Sequence, residues 1–447
     1  MTARAIRTLP LPAILLFVLS LTSLSLGFYR DQWQVVREKK FKSFQTDSES
    51  LVLARMVHSR QYGIFSQGAL LGWGDADPLN LNDADYTHQY DTYVNGGTFQ
   101  TYSVYKSQTG LQAMLFGALD AASPLPPVQN LRLFRALTAL LLAATFSVLM
   151  VWLLGEFGAG TALFVLLTTL VSQWITLFGR NLFYFTWAFY LPMLMMTVYL
   201  AREAARGRPS DRNLALVAFL GALLKCLFNG YDFIIPSLAM IAVPLVYYGL
   251  RDAWGLRELV RRLALLSLAA GAGVLVSLMI LAMQLQTSEG SFGGGVQYLL
   301  DTLSRRTYGD PAQFPLYAES LEADPFSVLW TYISQDTAIA ILGVRFLDLI
   351  LLFAAATLIH LGLEQWRPAA LPDKSKARAL IGATWFSLLS PVSWFLLFKG
   401  QAYVHMHTNY LAWHMPFTLF GFTLCGFVLR RIMFAVRRSR PAPAPTA

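Results

Sequence analysis

The hydrophobic positions of this chain fall into long runs separated by polar stretches. The runs are Leu9–Phe28, Ala136–Leu154, Thr161–Phe178, Leu182–Leu200, Leu214–Phe228, Phe233–Leu250, Leu263–Leu285, Ala338–Leu361, Leu380–Phe398 and Tyr410–Leu429. Most are roughly 18–23 residues long, which is what a helix needs to cross a bilayer core of about 30 Å. The pattern predicts an all-α polytopic membrane protein with about ten transmembrane helices. No A-x-A cleavage site closes the first run, so Leu9–Phe28 reads as an uncleaved anchor. Two polar stretches are large enough to be loops with structure of their own, residues 29–135 and 286–336. The chain then divides into a membrane module with the first loop (1–285), the second loop (286–336), C-terminal spans (337–430) and a tail (431–447). The tail ends in PAPAPTA, which cannot build a core and is expected to be disordered.

Inside the first loop the hydrophobic period changes. Thr46–Gly63 places Leu53, Met56 and Val57 on one strip and Arg55, His58 and Ser59 on another, which predicts a helix. Gly63 supplies the stop, because glycine tolerates the left-handed conformation that ends helices. Asn95-Gly96-Gly97 signals a turn. Leu111–Leu119 reads as a second amphipathic helix lying on the membrane face.

Composition sharpens the class. The chain is 55% hydrophobic and 14% charged, whereas soluble domains are about a quarter charged. The net charge of +9 does not point to nucleic acid, because the basic residues sit at span ends. Arg202, Arg206, Arg208 and Arg212 fall in one loop, Arg251, Arg257, Arg261 and Arg262 in another, and Arg367, Lys374, Lys376 and Arg378 in a third. This alternation puts both termini in the cytoplasm and both large loops on the outer face of the cytoplasmic membrane. Cys226 and Cys425 fall in spans near opposite faces, so no disulfide is expected.

Candidate chemistry gathers at the outer side. Asp47 and Glu49 open the first loop helix. Thr46-x-x-Glu49 also fits a capping box, in which the glutamate satisfies a free backbone N–H. The pairs Asp75/Asp77 and Asp83/Asp85 could hold a divalent cation through hard oxygens, or simply build an Asp/Asn-rich turn. Charged groups in or beside spans are costly and usually face a partner or a cavity. Lys225, Arg180 and the Arg345/Asp348 pair are such groups, and Lys225 is better explained by an anionic ligand than by Asp232. Lys399, His405 and His407 cluster in FKGQAYVHMHTNYLAWH. His-x-His lacks a third ligand at metal spacing, which favours a phosphate or sugar contact.

The order of these parts resembles the GT-C superfamily of integral-membrane glycosyltransferases. DSESLVLARMVHSRQYG, beginning at Asp47, resembles its acidic first-loop helix, and the run from Tyr105 through KSQTGLQAMLFGALD resembles its return helix. LKCLFNGYDFIIPSL is similar to its later span in which a lysine precedes the outer turn. The resemblance covers roughly Leu9–Leu250 and is architectural. Ser48 splits the usual adjacent acidic pair, and Asp31 occupies the nearer position and is the reserve candidate. The resemblance implies transfer of a sugar from a polyprenyl-phosphate donor to an envelope glycan or lipid acceptor. It implies Asp47 or Glu49 as the base that takes the acceptor proton. It implies Arg180, Lys225 and Lys399 as cations on the leaving phosphate, with His405, His407, Tyr105 and Gln108 contacting substrate. The resemblance fixes no cofactor, and a divalent cation stays open. The partners expected are the lipid-linked donor, the acceptor and membrane lipids, with no nucleic acid.

Two other classes remain. A polysaccharide polymerase or ligase would rely on the second loop, with Arg305 and Arg306. A transporter would place its charges near the membrane midplane in repeated halves, whereas here they gather at one end.

Overall fold

The computed structural model describes residues 10–64, 68–74, 86–335, 339–366 and 373–438. Its first helices are α1 (Leu11–Arg30) and α2 (Glu38–Tyr62). They are followed by β1 (Leu70–Trp73), α3 (Tyr86–Val94), β2 (Thr101–Val104) and α4 (Leu111–Ala122). The centre is built by α5 (Pro127–Phe157), α6 (Ala159–Leu170), α7 (Gln173–Phe178), α8 (Trp187–Arg206), α9 (Asp211–Asn229), α10 (Ile234–Arg251) and α11 (Leu256–Glu289). Then come α12 (Phe292–Arg306), α13 (Ala318–Glu322), α14 (Pro325–Ser334) and the short strands β3 (Ile339–Ile341) and β4 (Val344–Arg345). The chain closes with α15 (Phe346–Trp366), α16 (Lys374–Ser387), α17 (Leu389–Leu397), α18 (Lys399–Val404), α19 (Met406–Asn409) and α20 (Phe417–Arg438).

Among the described residues, seven helical stretches are long and apolar enough to cross a membrane. They are α1, α5, α10, α11, α15, the run Lys374–Leu397 and the run Phe417–Phe434. The protein is an all-α polytopic membrane protein. Only 22% of the apolar stretch of α11 is buried in protein, against 72% in α10. A helix that is apolar all round and largely uncovered by protein needs lipid as its solvent, so α11 lines the periphery and α10 the interior.

The three other predicted spans have a different form. The run Thr161–Phe178 breaks at Val171–Ser172 into α6 and α7. At the break Ser172 bridges to Ile341, and the Gln173 and Trp174 side chains both donate to the Ile339 carbonyl, at 2.5 and 2.8 Å. The other two correspond to α8, which carries Pro192 inside it, and α9, which packs along α8 and α11. At the C-terminus, α20 continues to Arg438, so the helix extends past the position 431 where the tail was expected to begin. Arg345 and Asp348 do not share a helical face. Arg345 lies in β4, and its backbone N–H donates to Asp348 Oδ2 at 3.0 Å in the first turn of α15.

The first loop has a hydrophobic core of its own, containing Val52, Leu53, Met56, Phe99, Phe116 and Phe134. β1 and β2 pair antiparallel beside it. The loop closes where Gly68 meets the start of α4. A Cβ at Gly68 would lie 2.1 Å from the Thr109 carbonyl oxygen, so no larger residue fits there. The predicted first-loop helix begins eight residues earlier than the capping-box reading placed it. The N-cap of α2 is Arg37, with no side-chain cap, and Thr46 and Glu49 lie inside the helix. The early turns are held by Phe41 and Gln45, both buried, which is tertiary packing rather than a local cap.

Asp120, at the end of α4, ties four elements of this loop together. Its buried carboxylate accepts from Arg60 Nε and Nη2 at 2.7 and 2.9 Å, from the Tyr93 hydroxyl at 2.6 Å and from Asn130 Nδ2 at 2.8 Å. Removing one partner of a buried pair leaves an uncompensated group and costs about 3–5 kcal/mol. Asp120→Ala is therefore expected to lower the thermal unfolding temperature of the detergent-solubilised protein, whereas replacing the exposed Lys39 should leave it unchanged.

Candidate functional site

Asp47 and Glu49 stand two residues apart on α2, so their side chains leave the helix in directions roughly 160° apart. Glu49 turns into protein and is fully buried. Its carboxylate pairs with Arg135 Nη2 at 2.5 Å and accepts from the Tyr90 hydroxyl at 2.5 Å and the Leu182 N–H at 3.1 Å. Next to it, Gln45 Nε2 donates to the Leu177 carbonyl, and Asn181 Nδ2 bridges Gln45 and Ser48, both at 2.9 Å. This face of α2 clamps the turn between α7 and α8. A carboxylate engaged this fully is a structural anchor and a poor proton acceptor.

Asp47 turns the other way and is open to solvent. Among the described residues its carboxylate forms no hydrogen bond or ion pair. Surrounding protein nevertheless raises its pKa above the ordinary 3.8; burial is the main cause, and His407 opposes it. His407 in turn is pushed below 6.5 by burial, with Asp47 pulling it up and Lys40 pushing it further down. Lys40 stands two turns back on α2 and rests on the Trp174 ring at 4.4 Å.

A second carboxylate, Asp232, faces the same space from the α9–α10 turn. It pairs with Arg306, the last residue of α12, at 3.5 Å. His405 lies within electrostatic reach of both, and its ring centroid is 5.9 Å from that of His407. Burial pushes the His405 imidazole below 6.5 as well, so both imidazoles are neutral at pH 7. Tyr184, from the α7–α8 turn, spans the gap. Its hydroxyl bonds with Thr408 and is raised well above 10.0 by burial, then by Asp232, Tyr105 and Asp47. Tyr105 is pushed up to about 12, again chiefly by burial and then by Asp232. The result is a polar row from Lys40 and Asp47 through His407 and His405 to Asp232 and Arg306. No protein-family model, curated protein or solved structure matches the chain.

The expected phosphate-binding cations have other duties. Lys225 is fully buried and its Nζ donates to the carbonyls of Gly230 and Asp232, at 2.8 and 2.6 Å. It closes the C-terminal end of α9 and shapes the turn that carries Asp232. Lys399 Nζ donates to the carbonyls of Leu321 and Ala323 at 2.6 and 2.8 Å, at the end of α13. Arg180 Nη1 donates to the Tyr29 carbonyl at 3.1 Å, at the end of α1. Helix C-termini leave orphan carbonyls that cations satisfy, and these three cations meet that demand. Asp31, the reserve base, accepts from the Val35 and Val36 N–H groups at 2.9 and 3.0 Å, and burial raises its pKa.

Gln108 is buried against the Asp232 turn, where a Cβ on Gly230 would lie 2.4 Å from its own Cβ. Asp75, Asp77, Asp83 and Asp85 lie outside the described residues. Among the described residues no three His, Cys, Asp or Glu side chains group as metal ligands. The row thus joins four candidates, Asp47, Tyr105, His405 and His407, and sets Glu49, Arg180, Lys225 and Lys399 into supporting positions. Tyr184 and Arg306 complete it, the first from the turn that also holds Arg180 and the second a residue raised only for the polymerase or ligase alternative. Asp232 had been weighed only as a counter-charge to Lys225.

Asp47 and Glu49 should therefore separate cleanly on substitution. Glu49→Ala is expected to cost about 3–5 kcal/mol of stability by stranding Arg135, read as a fall in folded yield and unfolding temperature. Asp47→Asn should stay within about 0.5 kcal/mol of the parent.

Proposed function

We propose that the protein is a membrane glycosyltransferase. It moves a sugar from a polyprenyl-phosphate-linked donor to an envelope glycan or lipid acceptor, on the outer face of the cytoplasmic membrane. In this reading α6–α7, α8 and α9 complete a bundle of about ten spans. The observation that carries it is a cavity of about 400 Å³ among α10, α11 and α12, with Arg306 among its lining residues. Its walls are apolar side chains such as Val274, Leu278, Val296 and Leu300, with Ser107, Tyr231 and Thr302 among the few polar ones. A branched hydrocarbon chain ending in a phosphate has the same arrangement of parts. Arg306 links this lining to the polar row through its pair with Asp232.

The chemistry follows from those positions. An acceptor hydroxyl oxygen attacks the anomeric carbon while the Asp47 carboxylate takes its proton. The bond from that carbon to the phosphate oxygen breaks, and its electron pair leaves with the phosphate. Arg306 lies where that charge develops and stabilises it. Neutral His405 and His407, with Tyr105 and Tyr184, offer hydrogen bonds to sugar hydroxyls. Lys225 acts by holding the Asp232 turn.

The primary test is a mass comparison of envelope and lipid-linked glycans between a deletion strain and strains complemented with parent or Asp47→Asn. The expected result is loss of one sugar mass, restored by the parent alone. Unchanged transfer in Asp47→Asn would remove the assignment. The pH dependence adds a signature. Activity should rise through the ionisation of Asp47, with an acid limb above 3.8. Since His407 lowers the pKa of Asp47, His407→Gln should move that limb to higher pH. Filling the groove with Val274→Trp should raise KM for the lipid donor about tenfold with kcat retained, as expected when uniform binding is lost.

The position of Arg306 at the groove also favours a second reading, a lipid-linked polysaccharide polymerase or ligase. Loss of long chains with intact repeat units would support it. So would inactivation by joint Arg305→Ala and Arg306→Ala substitution while Asp47→Asn stays active.

A further inference from the structure

A second cavity, between the end of α1 and the start of α2, belongs to neither the apolar groove nor the polar row. It measures about 760 Å³, and Arg30, Asp31, Arg37, Glu38, Lys42 and Arg180 are among its lining residues. Phe41 lines it too, whereas Lys40 and Asp47 leave α2 on another face. Four basic side chains therefore converge with two acidic ones, and both acids are already engaged. Glu38 pairs with Lys42 at 2.5 Å. Asp31 turns its carboxylate back onto the Val35 and Val36 N–H groups.

Among the described residues Arg30 and Arg37 form no ion pair, and Arg180 donates only to the Tyr29 and Phe41 carbonyls while feeling the Asp31 and Glu49 carboxylates at longer range. Arg180 stacks on Phe41 at 4.1 Å, and its buried Nε has no hydrogen-bond partner. The Arg30 side chain makes only a ring contact, 5.8 Å from the Tyr29 centroid, and among the described residues neither the Arg30 nor the Arg37 guanidinium has an ion-pair or hydrogen-bond partner. The site of this excess charge is informative. Arg30 is the last residue of α1, one of the helices able to cross a membrane. Tyr29 and the half-exposed Trp33 flank it, as aromatic residues do at a lipid–water boundary. Below them α1 exposes Leu15, Leu19 and Leu26, a path for acyl chains.

We infer that this cavity binds the phosphate headgroup of an anionic membrane lipid, with Arg30, Arg37 and Arg180 around the phosphate and the acyl chains along α1. The cavity includes Arg180 and Asp31, two candidates of the transferase resemblance, but the lipid assignment does not depend on that reading. A bound headgroup here would pin the α1–α2 connection, and with it the start of the helix that carries Asp47.

The test uses the full-length protein in detergent, with native mass spectrometry after adding phosphatidylglycerol or phosphatidylcholine. A juxtamembrane arginine contributes about fivefold to binding an anionic lipid, so Arg30→Gln with Arg37→Gln should weaken phosphatidylglycerol retention about 25-fold. Phosphatidylcholine retention should not change, and Arg30→Lys with Arg37→Lys should preserve the phosphatidylglycerol complex. Asp47→Asn should retain the lipid fully, which separates this result from any failure of the catalytic assignment. Equal phosphatidylglycerol retention by the double glutamine variant would overturn the proposal. So would thermal stabilisation by inorganic phosphate, with the same arginine dependence but no lipid retention, because it would assign the cavity to a free phosphate.

Discussion

The buried Glu49–Arg135 pair sets the geometry on which everything else rests. It fixes the rotation of α2 against α5, and the Leu182 N–H extends the same carboxylate to the α7–α8 turn. A charge at zero exposure tolerates no other arrangement, because an unpaired carboxylate there would face a large desolvation penalty. With Glu49 locked inward, helical geometry sends Asp47 outward into the polar row. The anchor and the proposed base are thus one constraint read at two positions. Tyr184, placed by the clamped turn, then falls between the two open carboxylates.

A second theme is the use of cations to finish helices. In a bundle with many short, broken helices, orphan carbonyls are numerous and lie away from water. Lys225, Lys399 and Arg180 each satisfy such ends, and each thereby fixes a neighbouring segment. The turn held by Lys225 carries Asp232. Gly400, next to Lys399, is also needed at this approach, since a Cβ there would lie 2.7 Å from the Arg305 carbonyl oxygen. That closeness brings the end of α12, and hence Arg306, to the row.

The membrane class was legible because apolar runs of spanning length leave little choice. The boundaries were less so where a distant strand intervened: the break at Ser172 depends on Ile339 and Ile341, more than 160 residues away. The start of α2 was hidden for a related reason. EKKFKSFQ looks like a charged linker until Phe41 and Gln45 are seen to be buried. In the site, the rank of Asp47 against Glu49 could not be read from two letters on either side of Ser48, because Arg135 decides it from another helix. Lys225 and Lys399 were found as unusual residues, but their partners are backbone carbonyls, which carry no side-chain signature. Arg306 and Asp232 come together from segments 74 positions apart, and only the folded chain shows that they pair.

The Asp232–Arg306 pair has a consequence for how the groove would discriminate among phosphates. An empty groove does not strand a cation, since Asp232 already neutralises Arg306. A singly charged phosphodiester would therefore offer Arg306 little more than it has, one monoanion in place of another. In the proposed reaction, breaking the glycosidic bond would give the phosphate a second charge, and the exchange would then favour it over the carboxylate. The pair would act as a threshold, reserving the arginine for the more highly charged state, so that attraction grows along the reaction rather than at first encounter. In the proposed reaction the same threshold would make the spent lipid phosphate leave more slowly than the intact donor, and the return of Asp232 would help its departure.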